Sequence, residues 1–584
     1  MILVFGGATE GRKAVAELEE AGQPFYYSTK TDMQDVTLHH GIPLQGAMDQ
    51  EAMTTFCQKH GIRLLIDAAH PFALMLHETV AAVAAKLHLP AIRYERIFPP
   101  RDADITWIDN YQDIPHDIHT LLATTGVQSI SKLKWLEDEG VKVFYRILDR
   151  ESSINLAHEQ GASDDQLCFY TDSRVIDIDA DAILLKESGL TGGFQEKVDA
   201  AKQKGMRIFV LRRPKTPSVF HSVNGPHGLR LAVEKLLPDF FPLHSGLTTG
   251  TCATAAAVAA MIRLTKGETP AEVPVLLPNG ETITVFVGYA DGYAYCIKEA
   301  GDDPDVTNGI EVRASVEKSD VFEIKGGEGV GRFTLPGFDY PPGEAAINKG
   351  PREMMKENIK TILAPPSSLL PPLIITISVP NGEEIARRTF NPRLGIEGGI
   401  SIIGVSGIVE PFSEEAFISS IRKCMEVAKA SGTDRVVINS GAKSERFLKG
   451  HYPNLPSQAF VQYGNYIGET LKIASELQFP KVILGVMLGK AVKLAEGHLD
   501  THSRRATMNL EFIQQLLNEI NVPFSIIHSP VTLARELWER ISPEKIEDFC
   551  RIILQHCMQH CQPLVPHTEL TLLLIDDDGT IHPQ

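Results

Sequence analysis

Along the first 240 residues, short apolar runs alternate with amphipathic stretches. MILVF precedes a glycine turn and GRKAVAELEEAG, and FYYST, LLIDAAH, AIRYE, TLLATTG, KVFYRI, LCFYT, AILLK and IFVLRR follow, mostly with helical segments between them. Short continuous apolar runs bounded by turn residues predict buried strands. Strands alternating with helices predict parallel, doubly wound sheets, here two small ones facing each other, with ligands at the carboxyl ends of the strands.

The texture changes after PDFFPLHSG, residues 238–246, whose prolines and glycine read as a linker. Beyond it GLTTGTCATAAAVAA opens a helix, and LPNGETITV and VPNGEEIAR share a Pro-Asn-Gly-Glu corner. Asn-Gly is a strong hairpin signal. Toward the end, PKVILGVMLGKAVKLAEG returns to buried strand, glycine turn and helix, an α/β unit again.

At 584 residues the chain exceeds one hydrophobic core, so three or four domains are expected. A formal charge of −18 argues against nucleic acid or a membrane surface as partner. A polyanionic ligand would then need local lysines, arginines or helix N-termini. No run approaches a membrane span, and MILVFGG lacks a basic leader segment. Eight scattered cysteines fit a reduced cytosol, so a cytoplasmic protein is expected, with homo-oligomerisation left open. His556, Cys557, His560 and Cys561 stand at helical spacing, as metal ligands or as a half-buried helix face. Nothing supplies a second ligand cluster, and no metal site is assigned.

Candidate chemistry gathers at strand and helix tips. Gly6, Gly7, Ala8, Thr9, Glu10, Gly11 and Arg12 form a strand-to-helix turn suited to a phosphate, or simply a tight turn. Ser28, Thr29 and Lys30 end the second strand where an acidic residue would read a ribose hydroxyl, which leans toward a 2′-phosphate, or they form a solvated strand end. His70, before Pro71, is a candidate acid or hydrogen-bonding group at the end of LLIDAAH, or a structural histidine. Thr124, Thr125 and Gly126, and the loop from Lys186 through Ser188 and Gly189 to Gly193, either cap helices or face a ligand.

In the second half, Thr248, Thr249, Gly250, Thr251 and Cys252 crowd one helix start, where a cap needs one of them. The expectation is that their amides and hydroxyls meet a ligand carboxylate at the dipole end. Asp302, Asp303 and Asp305 either hold a cofactor's hydroxyl or amino groups or form a turn; Pro304 and the spacing exclude an EF-hand. Gly327, Gly329 and Gly331 follow a strand, yet four prolines in FTLPGFDYPPGEAAINKGP forbid the helix of the usual methyltransferase fold. Arg387, Arg388 and Arg393 offer forks for carboxylates, or are plain surface arginines. Thr501, His502 and Arg504 near a helix start could bind an anion or supply a base; without HExxH, zinc is rejected.

The order GGATEGR, DAAHPFA, TTG, KESGLTGG and EKVDAA resembles the precorrin-6A reductase family over about residues 1–215. That resemblance implies Rossmann-like lobes, over 1–116 and 117–237, and reduction of a corrin precursor with NADPH or NADH. It implies dinucleotide binding by Gly6–Arg12 and Thr124–Gly126, with His70 and the 186–193 loop lining the cleft. Val127 stands where that family often has arginine, so a charge contact is in doubt.

LTTGTCATAAA, AGDDPDVTNG, GGEGVGRFTLPG, FNPRLGIEGGISIIGVSGIVEP and GKAVKLAEGHLDTHSR together resemble the cobalt-precorrin-5B carbon-1 methyltransferase family over about 243–515. This implies an α+β domain, 243–430, joined to a Rossmann-like α/β domain, 431–584, and methyl transfer from S-adenosylmethionine to a cobalt-containing corrin precursor. The family's histidine before Gly489 is absent from Val486-Met487-Leu488, so no role is given to that position. The combined expectation is a bifunctional enzyme of cobalamin synthesis acting on polycarboxylate tetrapyrroles. His70 and His502 are its catalytic candidates. The alternative is a nicotinamide-dependent oxidoreductase carrying a non-catalytic S-adenosylmethionine or tetrapyrrole module.

Overall fold

The computed structural model describes residues 1–30, 36–169, 178–362, 370–503, 505–507, 509–523 and 540–583. It divides into two compact units, Met1–Ser245 with Pro274–Thr284, and Gly246–Val273 with Val285–Gln584. The break at Ser245 falls inside the expected linker. The tip of the LPNGETITV hairpin belongs to the first unit, a placement the sequence did not suggest. There the buried Glu281 carboxylate accepts from the amides of His227 and Gly228, at the start of helix Gly225–Leu236.

The first unit holds two six-stranded sheets. One runs in the order His221–Asn224, Ala91–Glu95, Leu64–Asp67, Ile2–Phe5, Phe25–Thr29, Gly41–Gln45, all parallel. The other runs Thr106–Ile108, Arg207–Leu211, Ala182–Lys186, Thr120–Ala123, Lys142–Ile147, Leu167–Phe169, also parallel throughout. Helices on both faces account for the continuous apolar runs: Ile2, Leu64 and Leu65 are fully buried, as parallel strands covered on both sides must be. The chain enters the second sheet already at Thr106 and returns to the first with His221. The expected lobe boundaries at 116 and 237 therefore cut across the sheets. Those two strands are short and partly exposed, which hides them from a hydrophobic pattern.

In the second unit, helix Thr249–Lys266 packs against a mixed sheet ordered Gly288–Ala290, Tyr293–Ile297, Glu311–Lys318, Leu373–Ser378, Glu323–Gly326. Every residue from Thr249 to Ile262 is buried. Alanine permits this, because a small side chain lets neighbouring backbones come close at no side-chain entropy cost. A further sheet, Phe460–Gln462, Arg435–Asn439, Lys481–Met487, Glu569–Ile575, Ile581–Pro583, is parallel except for its last pair. Helix Glu414–Ala430 shares its core through Ile421, Met425 and Ala428, so this layer begins before residue 431.

Cys557 and Cys561 are fully buried in the same core, on helix Pro543–Cys561, so this stretch is a packed helix face. Among the described residues no group of three or more His, Cys, Asp or Glu is placed to hold a metal ion. No described helix is long and apolar enough to cross a membrane.

Candidate functional site

In the first unit, four segments converge on a cavity of about 200 Å³. His70 enters from the loop after Leu64–Asp67, and Thr124, Thr125 and Gly126 from the turn after Thr120–Ala123. Leu185, Lys186 and Ser188 end strand Ala182–Lys186, while Gly192 and Lys197 flank and open helix Phe194–Gln203. All lie at carboxyl ends of parallel strands or in the segments that follow, where doubly wound sheets bind ligands.

The loop bearing His70 rests on buried charge. Asp67, with no exposed surface, faces His77 Nδ1 at 2.5 Å and accepts from Arg93 at 2.8 Å and from the Ala69 amide at 3.1 Å. Arg93 also donates to the Asp67 and Ala69 carbonyls and to Glu95. Desolvation pushes the Asp67 carboxyl up, but His77 and Arg93 outweigh it and hold the pKa below the ordinary value. Across the ring, His77 Nε2 faces the Pro71 carbonyl at 3.3 Å. The network thus spans Asp67 to Pro71 and fixes the backbone on both sides of His70.

His70 Nδ1 accepts the Phe72 amide at 3.2 Å, so a neutral ring carries its proton on Nε2. Burial, with Arg96 and Lys186 nearby, pushes His70 down to about 4. It is a neutral donor at pH 7. The 186–193 loop is held by Glu187, which takes Arg101 and Arg213, and by Arg96, which donates to the Ser188 carbonyl at 2.7 Å. Arg96 also pairs with Glu10 at 2.8 Å, and Thr191 donates to the same carboxylate. Glu10, expected at the cofactor, is therefore spent on holding that loop. Gly189 packs against Arg96 and Ile97 and does not line the cavity.

At the glycine turn, a Cβ on Gly6 would overlap the Tyr27 ring, and Gly7 has φ +103°. The helix Thr9–Glu19 begins at Ala8 without a side-chain cap, and Arg12 is exposed beside Thr9. An uncapped helix start with an adjacent guanidinium fits a phosphate. Ser28 and Thr29 are buried, so of the three residues expected at a 2′-phosphate only Lys30 is exposed. Their strand lies inside the sheet, and both residues keep almost no exposed surface.

The second unit departs further from expectation. Thr248 caps its helix by accepting the Thr251 amide at 3.1 Å. Thr249 donates to the carbonyls of Ser401 and Ile403, and Thr251 to that of Gly407 at 2.5 Å. The Gly250 amide meets the Ile403 carbonyl at 2.8 Å. The threonine cluster binds the 401–407 loop of its own chain. Gly327, Gly329 and Gly331 likewise serve close packing: a Cβ on Gly327 would overlap the Ser378 side chain, one on Gly329 the Val379 carbonyl, and one on Gly331 would crowd Gly399.

Asp305 is paired with the buried Lys298 at 2.8 Å, and Asp303 accepts the Phe412 amide. Asp302 is exposed. Arg393 is held by Glu445 at 2.6 Å and Arg387 by Glu383 at 3.3 Å, while Arg388 is exposed. Thr501 is buried, its amide on the Asn465 carbonyl at 3.1 Å. His502 is half-buried, its amide on Asp500 at 3.0 Å. Arg504 lies outside the described residues.

Lys197 and Arg96 were not singled out from sequence. One signal marks Lys197: a lysine in the first turn of a helix opposes the macrodipole, which asks for a reason.

Residues 1–226 match the family model described as precorrin-6x reductase CbiJ/CobK, 239–411 that of CbiD, and 500–583 that of the CbiD C-terminal domain. A cobalt-precorrin-5B C(1)-methyltransferase of Prosthecochloris aestuarii is 40% identical over 353 residues, covering 58% of this chain and 95% of that protein. Among solved structures, a cobalamin biosynthesis protein (cbiD) from Archaeoglobus fulgidus is 32% identical, covering 45% of this chain and 83% of that one, at TM-score 0.27. A CobK precorrin-6A reductase is 17% identical, covering 40% of this chain and 97% of its own, at TM-score 0.33.

Proposed function

Because the chain belongs to the cobalt-precorrin-5B C(1)-methyltransferase family and carries a precorrin-6x reductase region before it, we propose that it catalyses two successive steps of cobalamin synthesis. It methylates cobalt-precorrin-5B at ring carbon 1 with S-adenosylmethionine, and it reduces the resulting cobalt-precorrin-6A to cobalt-precorrin-6B with a reduced nicotinamide. The observation that carries this reading is an alignment spanning 95% of a methyltransferase's length beside a reductase match of 226 residues in one chain.

For the reduction, a bound nicotinamide supplies hydride. Its pyrophosphate suits the uncapped turn at Gly6–Thr9 with Arg12 beside it. His70 then donates a hydrogen bond through Nε2 to the corrin precursor and orients it, while Asp67 and His77 keep the ring's loop fixed. As a neutral imidazole it has no second ring proton to give, so it positions substrate and leaves the proton to another source.

The residues expected to hold S-adenosylmethionine do not fit together as one open site. Thr249, Thr251 and Gly329 are enclosed in backbone contacts, and Asp305 is held by Lys298. No methyl-transfer step is assigned to them. Asp302, Arg388 and His502 retain surface from which to meet donor or substrate.

The test supplies the purified chain with cobalt-precorrin-5B, S-adenosylmethionine and NADPH or NADH, and follows product mass. A gain of one methyl group, then of two hydrogens, is expected. Binding of either cofactor without both mass changes would remove the bifunctional reading.

A further inference from the structure

One segment of the first unit comes from the other half of the chain. Residues 239–411 match the CbiD model, yet Pro274–Thr284 folds with Met1–Ser245. That segment is the tip of the hairpin built from Glu272–Leu276 and Thr282–Phe286, and its turn is Pro278-Asn279-Gly280-Glu281.

The tip meets the start of helix Gly225–Leu236. Asn224 holds the N-cap position there, but its side chain caps nothing in its own helix. It accepts instead from the Thr282 amide at 2.6 Å. Glu281 answers from the hairpin: its buried carboxylate accepts from the His227 amide at 3.0 Å, the Gly228 amide at 3.4 Å and Asn279 Nδ2 at 2.9 Å. A helix start has amides without acceptors and favours negative charge. Both needs are met by a side chain 54 positions from His227, in an exchange that a capping box makes within one helix. Gly225 leaves the room: its φ is +75°, and a Cβ there would stand 1.9 Å from the Glu281 carboxyl carbon.

What this helix supports gives the contact its consequence. Leu229, Ala232 and Val233 share a core with Ala14, Val15 and Leu18 of helix Thr9–Glu19. Arg230, three residues beyond His227, donates to Glu17 at 3.4 Å and to Glu20 at 2.8 Å. Helix Thr9–Glu19 opens at the uncapped Gly6–Thr9 turn.

We propose that Glu281 is a positioning residue for the reduction: from the methyltransferase region it caps helix Gly225–Leu236, and through that helix it holds Thr9–Glu19 and the turn that takes the nicotinamide's pyrophosphate. The link to the nicotinamide rests on the reductase reading above. The reductase match ends at residue 226, so the reduction depends on a carboxylate outside it, and the two halves of the chain are not independent.

The experiment compares the full-length chain with Glu281→Ala and with Glu281→Gln, which keeps one oxygen for the helix amides. Hydrogen exchange read by mass spectrometry follows residues 225–236, 9–19 and, as a control, 414–430. Loss of charged hydrogen bonds predicts exchange faster by about tenfold or more at 225–236 in E281A, a smaller rise at 9–19 and none at 414–430. E281Q should recover part of both rises. In the reduction of cobalt-precorrin-6A, E281A should raise the Michaelis constant for the nicotinamide severalfold at unchanged kcat, with methyl transfer unaltered. Unchanged exchange at 225–236 overturns the cap. A rise confined to 225–236, or a nicotinamide Michaelis constant equal to wild type, overturns the positioning role while the reductase reading stands. If wild type shows no reduction, that reading fails, and exchange at 9–19 alone decides. If E281A unfolds the first unit, E281Q is judged by the same criteria.

Discussion

Two sets of loops in this chain look alike as sequence and end in opposite places. LTTGTC and GGEGVGR in the second unit, and TTG and KESGLTGG in the first, are all small, hydroxylated and glycine-rich. In the second unit the hydroxyls of Thr249 and Thr251 go to carbonyls of residues 401–407, and Gly329 and Gly331 let backbones touch. In the first, Thr124, Thr125, Gly126, Lys186 and Ser188 border an open cavity. Composition marks a place where something approaches the backbone closely. Whether that is a ligand or another stretch of the same chain depends on which loop the fold brings there.

The comparison breaks most readily at the buried charges beneath His70. Asp67→Asn leaves Arg93 and His77 without their carboxylate in a site with no exposed surface, and should cost about 3–5 kcal/mol. Urea unfolding of the first unit reads it; a change near zero would mean that the network does not support the loop.

Next comes Gly329→Ala. With φ +69° and a carbonyl in the way of a Cβ, it should cost roughly 3 kcal/mol or more. A ligand-cradling glycine would instead keep its stability and lose affinity.

Thr251→Val sharpens the contrast at lower cost. Removing a buried donor from the Gly407 carbonyl should cost about 1–3 kcal/mol and leave the Michaelis constants of the folded enzyme unchanged. Weaker substrate binding at unchanged melting temperature would return the threonines to the ligand.

The most gradual effect is a slope, small at any one pH unit. His70 is pushed down to about 4, whereas an unfolded histidine titrates near 6.5. Between those values the unfolded chain takes up a proton that native His70 refuses. Stability should therefore fall as pH drops from about 6.5 to about 4 and level off below. His70→Asn should flatten that part of the curve; an unaltered slope would show that His70 is not held neutral by its burial.

Much of the fold was legible because both faces of a parallel strand are covered. Ile2–Phe5, Leu64–Asp67, Ala182–Lys186 and Lys481–Met487 announce themselves as apolar runs. Edge strands such as Thr106–Ile108 and His221–Asn224 carry no such run, being short and partly exposed, and this misled the lobe boundaries. Site legibility split along a physical line. His70, Thr124–Gly126, Lys186 and Ser188 follow strand ends, where topology alone points to the ligand edge. Hydroxyls inside the second unit could be assigned only by knowing that residues 401–407 would arrive with carbonyls. Lys197 stands inside EKVDAA but drew no role, because a lysine on an amphipathic helix usually belongs to its solvated face.

The most direct measurement is a crystal structure of the full chain soaked with cobalt-precorrin-6A and a reduced nicotinamide. The account predicts an anionic oxygen of one of them within hydrogen-bonding distance of His70 and Lys186, and no ligand atom touching Thr249, Thr251 or Gly329. Ligand density on those threonines and that glycine, with the His70 cavity left to solvent, would contradict it.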